Sequence, residues 1–343
     1  MKTLVRLPLT TTALALAALL VFGCLASMSS GALSLPLWDS LLAVLDNILG
    51  SSRSSLAAHE QAVVWELRLP RTLLAVLVGA MLAQCGAAMQ GLFRNPLADP
   101  GIIGVSSGAA VGAVLAIYFS PVAASWWTVP LSAFAAGFAC SLLIYRLARA
   151  SLGTSVLVLL LAGIAISALA GSLIGLISYV ADDSRLRDLT LWQMGSLAAA
   201  DSTRVWLALV VAVAIAWRFQ YRAAALNALL LGEAEARHLG IHVESLKREL
   251  ILLVALGVGL SVACAGVIGF VGLVVPHMVR TLSGPDHRSL LPLAGLGGAL
   301  LLLLADIVSR LVIQPAELPV GMVTALLGAP FFIVLLLQQK ERG

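Results

Sequence analysis

Long apolar runs, separated by short polar stretches, set the pattern of this chain. A helix that crosses a bilayer needs about 20 consecutive apolar residues. Runs of that kind occupy residues 9–28, 72–92, 102–119, 126–145, 156–179, 203–218, 290–312 and 321–338. Residues 250–279 contain no Asp, Glu, Lys or Arg and are too long for one crossing. Gly257, Gly259, Gly266, Gly269, Gly272 and Pro276 punctuate them, which predicts two short helices broken around Gly266–Gly269. The pattern therefore predicts an all-α integral membrane protein with ten transmembrane helices, one polytopic domain over residues 1–343. Strands fit poorly, because a membrane barrel alternates short segments instead of sustaining apolar runs.

Composition agrees. The chain is 60% hydrophobic and 11% charged, with a mean hydropathy of +1.02. Soluble domains carry roughly 25% charged residues, so most of this surface is predicted to face lipid. Lys2 and Arg6 ahead of the first apolar run imitate a signal peptide. Nothing after Met28 reads as a soluble mature domain, so a retained first helix is expected. Cys24, Cys85, Cys140 and Cys264 lie singly in apolar runs, and no pair has metal-site or redox spacing.

Charge then orients the chain. Ten crossings put both termini on one side. Arg53, Arg68, Arg71, Arg185, Arg187, Arg204 and Arg310 fall on the opposite side, and the other 14 of the 21 basic residues, all three lysines included, fall on the side of the termini. Basic loops stay in the cytoplasm, so both termini are predicted there. The net charge of +4 follows from this asymmetry and does not point to nucleic acid. The most charged stretch, residues 229–249 (LLLGEAEARHLGIHVESLKRE), falls between the sixth and seventh helices on that cytoplasmic side.

Several short patterns carry candidate chemistry. Gly163, Ser167, Gly171 and Gly175 recur every four residues and give the fifth helix a groove of small side chains. Such a groove serves internal packing, a transport pathway or a subunit seam. Asn95, Pro96 and Pro100 in RNPLADPGIIGVSSGA break the apolar text, as a tight turn or as backbone lining a cavity. RLPR (68–71) and ELPVG (317–321) place Leu-Pro just ahead of a helix, with proline expected in the first turn. Arg68 and Arg71 read as exposed outward cations, either plain loop charges or a dock for an acidic partner. His277 stands alone on an apolar helix and reads as a hydrogen-bonded structural residue, not a metal ligand. Asp306 has Arg310 one turn later, and the two are expected to satisfy each other. An ion-coupled transporter would place further ionisable groups at midplane. A nucleotide-binding loop needs a lysine after glycine, whereas these lysines follow Met1, Leu246 and Gln339. Any ATPase must be another polypeptide.

The segments RLPRTLLAVLVGAMLAQCGAAMQGLFRNPLADPGIIGVSSGA, LLLGEAEARHLG, AGVIGFVGLVVPHMVR, DHRSLLPL, LLLADIVSRL and ELPVGMVTALLGAPFFI stand in this order along nearly the whole chain. In them the sequence resembles the permease family that imports ferric siderophores, heme and cobalamin through bacterial inner membranes with ATP-binding-cassette partners. The resemblance implies a homodimer of ten-helix subunits in the lipid bilayer, two cytoplasmic ATPase subunits that bind ATP, and a periplasmic substrate-binding protein. It implies no catalytic residue, no metal site and no permanently bound cofactor in this chain. Leu231, Gly232, Glu233, Glu235, Arg237, His238, Leu239 and Gly240 match the coupling segment that rests on the ATPase. Arg68, Arg71 and Arg310 match arginines that dock the binding protein, and Asn95, Leu97, Thr154 and Ser155 match a cytoplasmic gate. Gly163, Ser167, Gly171 and Gly175 then line the pathway. YVADDSRLRDLTLWQMGSL (179–197) looks most like the heme importers, so heme is the expected cargo, with a ferric siderophore or cobalamin as alternatives. An ion-coupled secondary transporter is the rival from another class.

Overall fold

A computed structural model describes residues 8–31, 33–119, 127–150 and 153–340. Lys2, Arg6 and Arg342, used above for orientation, lie outside them. Helix α1 (Leu9–Ser29) leads to a short amphipathic α2 (Leu37–Leu49) that the apolar pattern did not announce. Residues Ala58–Leu92 then run as one helical rod: α3 (Ala58–Ala62), a π-helical turn (Val63–Arg68) and α4 (Leu69–Leu92). Pro70 lies in the first turn of α4, as expected, but the helical rod runs on through the residues ahead of it. A proline ring collides with the carbonyl four residues back and has no N–H to donate. The wider π turn just before it, in which Leu69 N bonds Val64 O, accommodates both defects.

A 3-10 turn (Pro100–Ile103) precedes α5 (Val105–Phe119) and α6 (Thr128–Ala148). A two-stranded antiparallel hairpin, β1 (Arg149–Ala150) with β2 (Gly153–Thr154), interrupts the helices; the all-α expectation missed it. There follow α7 (Val156–Val180), α8 (Asp183–Gln193), α9 (Ser202–Leu230), the six-residue α10 (Glu233–His238), α11 (Val243–Ala265), α12 (Val271–Ser283), α13 (His287–Leu311) and α14 (Val320–Lys340). Each of the ten predicted apolar segments holds a helix. Among the described residues, seven helical runs are long and apolar enough to cross a membrane by themselves: α1, the 58–92 rod, α6, α7, α9, α11 and α13.

The break predicted near Gly266–Gly269 is present, with Gly266 at φ +68 and Phe270 at φ +68 between α11 and α12. Its flanks differ from expectation. Only α12 is short, at 13 residues, while α11 has 23 because it begins at Val243 and takes in Lys247, Arg248 and Glu249. Helix α9 likewise continues past its apolar run to Leu230. At 1.5 Å per residue α9 spans about 43 Å against a hydrocarbon core of about 30 Å. Both α9 and α11 thus extend beyond their apolar runs into charged residues, and α10 lies between those charged ends.

Helix α4 sits at the centre, buried on nearly every side against α9, α11, α12 and α13. Lipid offers no hydrophobic drive for helices to associate, so contact depends on close backbone approach. Gly79 meets the backbone of Gly298 on α13, and Gly86 meets the backbone of Gly272 on α12, each without room for a Cβ.

Candidate coupling face and transport pathway

The polar residues gather at the two ends of the bundle, and α13 defines them: His287 at its start lies near the end of α9, and Arg310 at its close lies beside Arg71 of α4.

At the His287 end, α9, α10 and α11 build a charged protrusion. Glu249 of α11 takes Arg222 of α9 at 2.6 Å and also pairs with Arg218, which clamps the two helices where they leave the apolar slab. Gly232, at φ +128, makes the sharp entry into α10 that a side chain would strain. Ala236 is buried and anchors the short helix, while Glu235, Arg237, His238 and Gly240 face outward. Leu231 and Leu239 flank them at 67% and 62% exposure. Two large aliphatic side chains bracket exposed charges on a rod of about 9 Å. Glu233 is turned inward, bonded to Lys247 of α11 at 2.7 Å and to Arg237 at 3.5 Å. At the same end Asn227 of α9 donates to Asp286, the cap of α13, and accepts from His287 N. The backbone N–H of Arg288 and the Asn227 amide together hold the Asp286 carboxyl below its usual range.

The four gate candidates lie at this end, in two separate turns. Asn95 follows α4 and its side chain accepts from Leu97 N at 2.9 Å, a self-contained turn. Thr154 closes the hairpin, buried, and Ser155 caps α7 by accepting from Val158 N. No hydrogen bond or ion pair joins the two turns among the described residues.

The small-residue stripe of α7 divides. Gly163 lies against the Ile102 carbonyl, and Ser167 Oγ is 3.1 Å from Ser107 Oγ of α5. Among the described residues, a Cβ at Gly171 or Gly175 would meet nothing within 4 Å. Half of the stripe thus packs internally and half is open.

At the opposite end the arginines overturn one expectation. Arg68 and Arg71 were read as exposed outward cations and Arg310 as a docking arginine, yet Arg68 and Arg310 are each 5% exposed and the Arg71 side chain only 12%. The last carbonyls of a helix lack partners within it, and Arg68 and Arg310 supply donors to the end of α1. Arg68 donates to Met28 O at 2.7 Å and to Leu33 O; Arg310 donates to Ser27 O, Ser30 O and Ser27 Oγ. Asp306, fully buried, pairs with Arg71 at 2.9 Å and Arg310 at 3.1 Å, the mutual satisfaction that their spacing predicted. Glu317, ahead of α14, takes Arg71 at 2.7 Å and remains half-exposed. His277 departs from its reading, since its Nδ1 is buried without a hydrogen-bond partner. No cluster of His, Cys, Asp or Glu able to hold a metal occurs among the described residues.

Sequence reasoning missed Lys247, Glu244 and Glu317. For Lys247 a signal existed: it shares the helical stripe of Val243, Leu246 and Leu250, where a charge is out of place.

Residues 19–338 match the FecCD transport family. The chain belongs to that family. It is 46% identical over 333 residues to the hemin transport system permease protein of Yersinia pestis, covering 94% of each chain. It is 44% identical over 286 residues to the vitamin B12 import system permease protein of Salmonella typhi, covering 83% of this chain and 87% of that one. Among solved structures, a metal-chelate type ABC transporter in an inward-facing conformation superposes with a TM-score of 0.84 at 35% identity, over 96% of this chain and 99% of that one. PsaBC from Streptococcus pneumoniae, at 17% identity and a TM-score of 0.54 over 78% and 90%, shares the fold. As a FecCD member the chain is the permease component of an ATP-binding-cassette importer, a multi-pass inner-membrane protein. The family implies a separate ATPase subunit and a substrate-binding partner.

Proposed function

We propose that this chain imports heme as a homodimer, with two ATPase subunits on the α10 face and one periplasmic binding protein on the Arg71 face, by ATP-driven alternating access. Each subunit crosses the membrane ten times, α5, α12 and α14 included, and keeps both termini in the cytoplasm. The observation that carries this reading is the protruding α10, whose outward Leu231, Glu235, Arg237, His238, Leu239 and Gly240 have the size and polarity of a lever for a cytoplasmic motor. The 94% coverage at 46% identity with a hemin permease supports heme over cobalamin. The open half of the α7 stripe, Gly171 and Gly175, supports a pathway or subunit seam there, with Asn95, Leu97, Thr154 and Ser155 of two subunits closing its cytoplasmic mouth. Arg68 and Arg310 act in docking only by shaping the end of α1. Arg71, through the half-exposed Glu317, is the arginine within reach of an acidic partner.

The test is reconstitution in liposomes with the cognate ATPase and binding protein. Heme-loaded binding protein is expected to stimulate hydrolysis and uptake more than cobalamin- or ferric-siderophore-loaded binding protein. Stimulation by either of the others reassigns the cargo. Uptake by this chain alone under an ion gradient would replace the whole reading with the secondary transporter.

A further inference from the structure

Lys247 is 2% exposed, although lysine is almost never fully buried unless it is paired. Its ammonium touches one oxygen on each of three elements: Glu233 of α10 at 2.7 Å, Thr154 O of β2 at 2.8 Å, and Glu244 of α11 at 3.2 Å. The second oxygen of Glu244 accepts from Thr154 N at 2.8 Å. The backbone of Thr154 is therefore gripped on both sides, its carbonyl by Lys247 and its N–H by Glu244. Gly153, at φ +120, lets the hairpin approach; a Cβ there would stand 2.7 Å from Glu244 Oε1. Ser155, the next residue, caps α7.

We infer that Lys247 is a positioning residue that ties α10 to the start of α7, so that displacement of α10 is delivered to Thr154–Ser155 and to the helix bearing the open glycine stripe. The connection is short and centres on a buried ammonium, which is screened less than a surface charge, with its two carboxylates partly exposed. The alternative route from α10 runs along α9 through Leu231 and leads mainly to α4, α13 and α11. Lysine suits the place because its compact ammonium serves three separate acceptors, whereas the planar guanidinium of arginine favours one bidentate partner. The inference rests on the coupling role proposed for α10 and adds the link from α10 to the gate.

The decisive measurement uses the whole complex of permease, ATPase and binding protein in liposomes, with uptake and ATP hydrolysis recorded together. For Lys247→Met the number of cargo molecules delivered per ATP is expected to fall by about 5-fold or more, a coupling loss of ordinary size, while the complex still assembles and hydrolyses ATP. Lys247→Arg restores it in part. Hydrogen exchange supplies a readout that a merely structural role would not move. In the wild type, trapping the ATPase with ATP and vanadate changes exchange in residues 233–240 and in 153–160; in Lys247→Met only the first change persists. Glu233→Gln, which removes only the leg to α10, gives the same split and decides the matter if Lys247→Met fails to assemble. Wild-type delivery per ATP with an intact response at 153–160 in these variants overturns the clamp. If instead Glu235→Ala with Arg237→Ala leaves uptake unchanged, the coupling role of α10 itself has failed, separately from the clamp.

Discussion

Asp306 and Arg71 lie 235 residues apart and meet at 2.9 Å inside the bundle, with Arg310 on the other oxygen of the same carboxylate. Arg68 and Arg310 reach the end of α1, while Arg71 and Arg310 share Asp306 and Arg71 alone also takes a second carboxylate, Glu317. Asp306 is the only one of the two that is fully buried, so it holds the arrangement together.

Asp306→Asn is therefore expected to destabilise the membrane domain strongly. Removing one partner of a buried ion pair costs about 3–5 kcal/mol, because the remaining charge is left unpaired. The variant should unfold at a clearly lower temperature in detergent. Glu317→Gln should shift it far less, since Glu317 is half-exposed and an exposed pair contributes about 0–1 kcal/mol. Equal shifts for the two would mean that the network does not bear on stability as its burial implies.

Glu317→Gln carries a second expectation. It frees one side of the Arg71 guanidinium toward an acidic partner, so affinity for the binding protein should rise by up to about 5-fold, the equivalent of about 1 kcal/mol. The gain should be largest at low salt and fade as the ionic strength rises. Titration of labelled binding protein against the reconstituted permease measures it. An affinity that stays the same at every salt concentration confines Arg71 to its internal pairing with Asp306 and Glu317.

The sequence disclosed the helices because apolar length is a local property: each run of about 20 residues reports its own crossing. The break at Gly266 and the Asp306–Arg310 pair were legible for the same reason, since both depend on neighbours within one turn. The end of α9 and the start of α11 were not, because Arg218, Arg222 and Glu249 look like loop charges until α9 and α11 are laid side by side. Arg68 and Arg310 misled for a related reason. Their acceptors are backbone carbonyls at Ser27, Met28, Ser30 and Leu33, which no residue type advertises. Residues 231–240, Glu233 included, were singled out by the resemblance; that Glu233 turns inward to Lys247 needed the fold.

Glycine packing offers a paired test. A Cβ at Gly86 meets the backbone of Gly272, which cannot rotate away, so Gly86→Ala should cost about 1–3 kcal/mol and lower the thermal midpoint. A Cβ at Gly171 meets nothing within 4 Å among the described residues, so Gly171→Leu should leave the stability of one subunit unchanged. If the open half of the stripe lines the pathway or the subunit seam, that variant should still reduce uptake or dimer formation. Size-exclusion with light scattering separates the two outcomes, and an unaffected dimer with unaffected uptake would falsify both roles for this half of α7.

The partner face of α10 can be probed without disturbing the membrane domain. Leu231 and Leu239 are more than half exposed and contribute little to the folded subunit. Burying a leucine in an interface stabilises it by about 1.5–3 kcal/mol, so Leu231→Asp with Leu239→Asp should weaken ATPase binding by at least about 10-fold at an unchanged melting temperature. Co-purification of the ATPase, followed by its hydrolysis rate with loaded binding protein, reads the loss directly. Substitution of the nearby Ala236, which is buried under α10, should behave in the opposite manner. A larger side chain there pushes α10 off its support and lowers stability first. ATPase binding retained at wild-type strength in the double aspartate variant would place the motor elsewhere on the bundle and remove the lever from the mechanism.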